Sequence, residues 1–157
     1  MNKELMTLAH AAGQLAVGRG VMLSTAESCT GGLLAAALTH APGASRWFAR
    51  GFVCYSNAAK EDMLQVSPQI LTDFGAVSEQ TAAAMCHGVG EYSLAITGIA
   101  GPDGGENKPV GMVCFGWRCG ETTHTATKYF NEHTPHNREE IRHLTACFAL
   151  SEIANIL

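Results

Sequence analysis

Two short apolar stretches, residues 21–26 and 93–97, each run into a glycine-bearing turn, TAESCTGG at 25–32 and ITGIAGPDGG at 96–105, and this restricts the fold more than any other feature. Each stretch reads as a buried strand, and the first turn opens an alanine- and leucine-rich helix that closes at Pro42-Gly43. Around these units the apolar period changes repeatedly. Leu5, Leu8, Ala9, Ala12, Leu15 and Ala16 form a helical stripe over 4–17, stopped by Gly18 and Gly20. Residues 51–55 read as a second short strand, and Asn57 can cap a helix carrying Lys60, Met63 and Leu64. Ser78 caps a helix over 78–88, with an incomplete capping box because position 81 is Thr. Residues 98–109 form a loop, 110–117 and 122–130 pair as a hairpin around Cys119-Gly120, and a last helix runs over 137–156. Interleaved helices and strands with a late hairpin predict one domain over 1–157, a three-layer α/β/α sandwich with a mixed sheet.

Composition narrows the function classes. Charged residues are only 15% of the 157 and the net charge is −4, with no basic block, so the electrostatic footprint of a nucleic-acid binder is missing. The apolar run at 33–38 is too short to span a bilayer, and residues 1–16 carry Glu4 and His10 where a secretory signal needs an apolar stretch, which predicts a cytoplasmic chain without membrane contact. Six scattered cysteines without a CxxC read as reduced thiols. The seven histidines, His133 and His136 among them, show no companion carboxylate or cysteine at ligand spacing, so no metal is expected.

Three segments can carry chemistry. In TAESCTGG, Ser28 stands at a helix mouth whose free N–H groups can hold a phosphate or an oxyanion; its plainer reading is an N-cap. In YSNAAK at 55–60, a phenol (Tyr55) ends a strand and an ammonium (Lys60) lies one turn into the next helix; their plainer readings are an ordinary strand aromatic and a solvated lysine. A serine hydroxyl needs a base, and a lysine serves only where burial keeps it neutral. In the third segment, 96–111, the glycines and the Thr97 hydroxyl can meet a nucleotide or a carboxamide, although both GxGxxG and GxxxxGK[ST] are absent.

TAESCTGG, GFVCYSNAAK at 51–60, GAVSE at 75–79 and GIAGPDGG at 98–105 together resemble the CinA C-terminal family in order and spacing, over residues 5–130. Stand-alone members of that family include nicotinamide mononucleotide amidohydrolases. The resemblance implies the sandwich fold and a serine amidase mechanism without metal or other cofactor. It also implies Ser28, Tyr55 and Lys60 as the catalytic set. On this reading the small-molecule substrate, nicotinamide mononucleotide, is bound by Glu27, Thr30, Gly31, Gly32, Thr97, Gly98 and Gly101. Tyr55 either relays the proton or orients the serine. A homodimer stays open, since the sequence decides no oligomeric state. Two rivals remain: a nucleotide-binding regulatory module without catalysis, and a thiol amidase using Cys29.

Overall fold

The computed structural model describes residues 2–157. Among the described residues the strands are β1 (Leu23–Glu27), β2 (Phe48–Val53), β3 (Tyr92–Gly98), β4 (Met112–Cys119) and β5 (Thr122–Tyr129). The helices are α1 (Lys3–Arg19), α2 (Leu33–His40), α3 (Asn57–Leu64), α4 (Pro68–Phe74), α5 (Glu79–Val89), α6 (Arg138–Ser151) and α7 (Ile153–Ile156). The sheet order is β2-β1-β3-β4-β5, with β1 parallel to both β2 and β3, and β4 antiparallel to β3 and β5. The mixed sheet and the α/β class agree with the expectation.

Each face of the sheet has its own core. Leu94 and Ile96 of β3 and Val113, Phe115 and Trp117 of β4 alternate onto the side covered by α1, α2 and α6, where Leu5, Leu34, Trp47 and Ile141 join them. The opposite face carries small residues, Ala26 and Ala95, under Leu64, Leu71 and Met85 of α3, α4 and α5. Small residues on this face let α5 lie close to the sheet. A Cβ on Gly116 would stand 2.8 Å from the Ala82 carbonyl oxygen.

Most boundaries follow local chemistry. Asn2 caps α1 at the Leu5 N–H, and Gly20, at φ 67°, closes it. Several differ from the sequence reading. The second strand starts at Phe48 rather than residue 51, because Leu23 pairs with Phe48 and pulls the whole 48–53 segment into the ladder with β1. Ser56, not Asn57, caps α3, accepting from the Ala59 N–H. The α4 helix was not expected, although Ser67, Pro68 at its start and Gly75 after its end form a start-and-stop signal. The last helix breaks at Glu152 into α6 and α7, and a full capping box between Asn137 and Glu140 opens it.

The chain leaves β1 for β2 on one side and returns to β3 on the other. The connections therefore diverge between the carboxyl ends of β1 and β3, the place where open α/β sheets collect ligands. Ser28 directly follows β1, and Gly98 ends β3.

Candidate active site

The Ser28 turn is held from several directions. Its N–H donates to the Ile96 carbonyl at 3.0 Å, tying the turn to β3, and its carbonyl accepts from the Gly31 N–H. Gly31 and Gly32, at φ 59° and 94°, take the left-handed backbone that reverses the chain into α2. Arg142 of α6 donates to the carbonyls of Cys29 at 3.1 Å and Thr30 at 2.8 Å. These bonds reduce the freedom of the serine before any ligand arrives.

Glu27 has a different place from the one expected. Its fully buried carboxylate accepts from the N–H groups of Leu34 at 2.8 Å and Ala35 at 2.9 Å, so both oxygens cap α2 instead of facing a ligand. The helix mouth expected to receive a phosphate is thereby filled by the chain's own carboxylate. The N–H groups of Cys29 and Thr30 donate to no other residue among the described ones.

Lys60 is 1% exposed. Its side chain leans back towards the start of α3, as helical side chains do, and brings Nζ 3.2 Å from Ser28 Oγ. Nζ also lies 3.0 Å from the Cys54 carbonyl oxygen and 3.2 Å from that of Tyr55. Burial pushes the lysine below its ordinary value of 10.5, because desolvation disfavours the ammonium. A neutral amine has two protons and one lone pair. The two carbonyls can take the protons, which leaves the lone pair for the Ser28 hydroxyl.

The other expected residues divide. The Tyr55 phenol is solvent-exposed, and its oxygen accepts from Arg138 Nη2 at 2.8 Å. Thr97 is buried and donates its hydroxyl to the Ala76 carbonyl at 2.7 Å. The Thr30 hydroxyl is fully buried and has no partner among the described residues. Gly98 permits close packing of β3 on β4, since a Cβ there would lie 2.7 Å from Val113 Cγ2. Gly101 has φ 88°. Ser28, Tyr55, Lys60, Thr97, Gly98 and Gly101 line one cleft of about 260 Å³, whereas Glu27, Thr30, Gly31 and Gly32 do not line it.

Sequence reasoning missed two arginines. Arg138, the first residue of α6, reaches the cleft and donates to the Gly101 carbonyl at 2.6 Å as well as to Tyr55. Arg142 meets Cys29 across 113 positions of sequence. No local signal marks either, because only the packing of α6 brings them to the β1 turn. Cys29 is the opposite case. Burial pushes its thiol up to about 12, so almost no thiolate is present at neutral pH.

This is an α/β fold with a buried serine–lysine pair at its topological switch point, a geometry suited to acyl transfer. The family model of the CinA C-terminal domain matches residues 5–157. A CinA-like protein of Syntrophotalea carbinolica is 46% identical over 96% of this chain, which spans 37% of that relative's length. A nicotinamide-nucleotide amidohydrolase PncC of Enterobacter agglomerans is 44% identical, covering 94% of this chain and 92% of its own. The crystal structure of a CinA superfamily protein from Escherichia coli superposes with a TM-score of 0.93 at 36% identity, covering 100% of this chain and 93% of that one. The chain belongs to the CinA C-terminal domain family.

Proposed function

We propose that this chain hydrolyses the carboxamide of nicotinamide mononucleotide, releasing ammonia and nicotinic acid mononucleotide. The observation that carries the reading is the 3.2 Å contact between Ser28 Oγ and the buried Lys60 Nζ. Similarity to the Enterobacter agglomerans amidohydrolase supports the choice of substrate.

In this mechanism neutral Lys60 takes the Ser28 proton as Oγ attacks the carboxamide carbon. The N–H of Cys29, a residue that lines the cleft, stabilises the oxyanion, in place of the α2 mouth that Glu27 occupies. Lys60 then protonates the departing nitrogen, and ammonia leaves an acyl-serine. Lys60 next accepts a proton from the incoming water, whose oxygen forms the new carboxylate, and returns a proton to Ser28. Water is the only co-reactant.

Tyr55 serves as a positioning residue. Its carbonyl orients Lys60, its ring walls the cleft, and its hydroxyl accepts from Arg138. The cleft lies near the small end of ligand pockets, about 300–1,000 Å³, so the pyridine ring enters and the phosphate stays at the mouth, where the Arg138 guanidinium meets it. A cytoplasmic setting suits the six unpaired cysteines.

The test is ammonia release from nicotinamide mononucleotide by the purified protein and by Ser28→Ala. Turnover by the first and a loss of at least about 10³-fold in the second are expected. Binding without ammonia release by the unaltered protein would instead identify a non-catalytic nucleotide module.

A further inference from the structure

The packing of α1 on α6 gathers three different metal-ligating groups, two from one helix face and the third from the start of the chain. Glu4, His143 and Cys147 offer a carboxylate oxygen, an imidazole nitrogen and a sulfur that all lie within 4.8 Å of one another. His143 and Cys147 are four apart on α6 and share its face, and Glu4 comes from the first turn of α1. The sequence reading expected no companion carboxylate or cysteine beside the histidines. His143 has both, and the carboxylate is legible only in three dimensions.

Three polar groups converge on the single Nε2 atom of His143. Asn2 Nδ2 lies at 2.6 Å, Cys147 Sγ at 3.4 Å and Glu4 Oε2 at 4.0 Å. An imidazole nitrogen has one in-plane direction, filled by its own proton or by one partner, so three partners cannot all be satisfied by hydrogen bonds. One cation between Nε2, Sγ and Oε2 would satisfy three of these atoms together. Tetrahedral zinc, with bonds of about 2.0–2.3 Å, places its ligand atoms roughly 3.5 Å apart, against 3.4 Å from Nε2 to Sγ and 4.0 Å from Nε2 to Oε2.

We propose that Glu4, His143 and Cys147 form a binding site for a borderline-soft divalent cation of the zinc class. The nitrogen, sulfur and oxygen donors favour zinc over calcium or magnesium, which take oxygen alone. Cys147 binds as the thiolate and gives its proton to the buffer; no electron moves. Glu4 is exposed and His143 half-buried, so the fourth position faces solvent, beside a groove of about 740 Å³ that Asn2, His136 and His143 help to line. The ion clips the start of α1 to α6. None of the three ligands lines the Ser28 cleft, so the site is independent of the proposed reaction.

The experiment is Co²⁺ titration followed by absorption, with thermal melting in Zn²⁺, on the unaltered protein, Cys147→Ser, His143→Gln and Glu4→Gln. One Co²⁺ per chain with a near-ultraviolet sulfur-to-cobalt band is expected. That band should vanish in Cys147→Ser, and affinity should fall by about tenfold or more in the other two variants. Free Zn²⁺ at roughly 100-fold above Kd should raise the melting temperature by about 5–10 °C, and much less in the variants. No sulfur band in the unaltered protein, a band surviving in Cys147→Ser, or unchanged affinity in Glu4→Gln would each overturn the site. Glu4 is exposed, so its variant decides the question without disturbing the core.

Discussion

At the residue scale, Lys60 combines burial with a charge it can shed. A buried ammonium is costly, and burial lowers its pKa below 10.5. The folded state therefore holds this proton less tightly than the unfolded chain, and the lysine's contribution to stability rises with pH between the lowered value and 10.5. The same shift governs the proposed chemistry. The kcat/KM for nicotinamide mononucleotide should rise with pH to a plateau, with an inflection below the ordinary lysine value. Arginine retains the charge but cannot act as a base, so Lys60→Arg should lose more than about 100-fold in kcat at every pH from 6 to 10. A variant retaining most of its kcat would remove Lys60 from the base role. Cys29→Ala tests the neighbouring atom. With that thiol pushed up to about 12, the variant should keep turnover within a few fold, and an inactive but folded Cys29→Ala would restore the thiol as nucleophile.

At the scale of elements, the β1 turn and α2 depend on one carboxylate. Leu34 and Ala35 are among the first residues of α2, and their N–H groups have no helical acceptor of their own. Glu27 supplies two acceptors and a negative charge at the positive end of the helix. Glu27→Gln keeps the shape but removes the charge and turns one acceptor into a donor. It should therefore cost about 1–3 kcal/mol in denaturant unfolding, with a lower kcat because Ser28 is the next residue. An unchanged midpoint would show that the α2 cap contributes little. The sequence reading grouped Glu27 with ligand-binding residues because the motif alone does not show where a carboxylate points. The α4 helix was missed for another reason. It spans only Pro68–Phe74 with Leu71 as its buried residue, too few turns for a periodic stripe, and its cap chemistry was its only local signal.

At the scale of the molecule, the proposed reaction and the proposed cation site use different residues. The proposed reaction occupies the carboxyl ends of β1 and β3, while Glu4, His143 and Cys147 lie together between α1 and α6 and none of them lines that cleft. Chelation should therefore leave deamidation unchanged, as the serine mechanism requires, while lowering the melting temperature of protein purified with its metal. Ammonia assays and melting curves with and without EDTA check both halves. Loss of turnover restored by one divalent metal would refute the metal-free mechanism. No helix among the described residues is long and apolar enough to cross a membrane.

The amino-acid order by itself determined the alternation of helix and strand, the glycine turns after β1 and β3, and the serine and lysine that meet there. The alternation and the turns follow from periodicity and turn chemistry, which act over a few residues, whereas the serine–lysine pair is implied by the resemblance of four separated motifs to a known family. Tertiary structure alone decided which neighbours each polar group found. Only packing turns the Glu27 carboxylate into α2, holds Tyr55 by Arg138 rather than by Ser28, clamps the Cys29 carbonyl with Arg142, and brings Glu4 to His143. The physical reason is that hydrogen bonding and desolvation depend on distances of a few ångströms, and in a mixed sheet such distances are set between segments far apart in the chain.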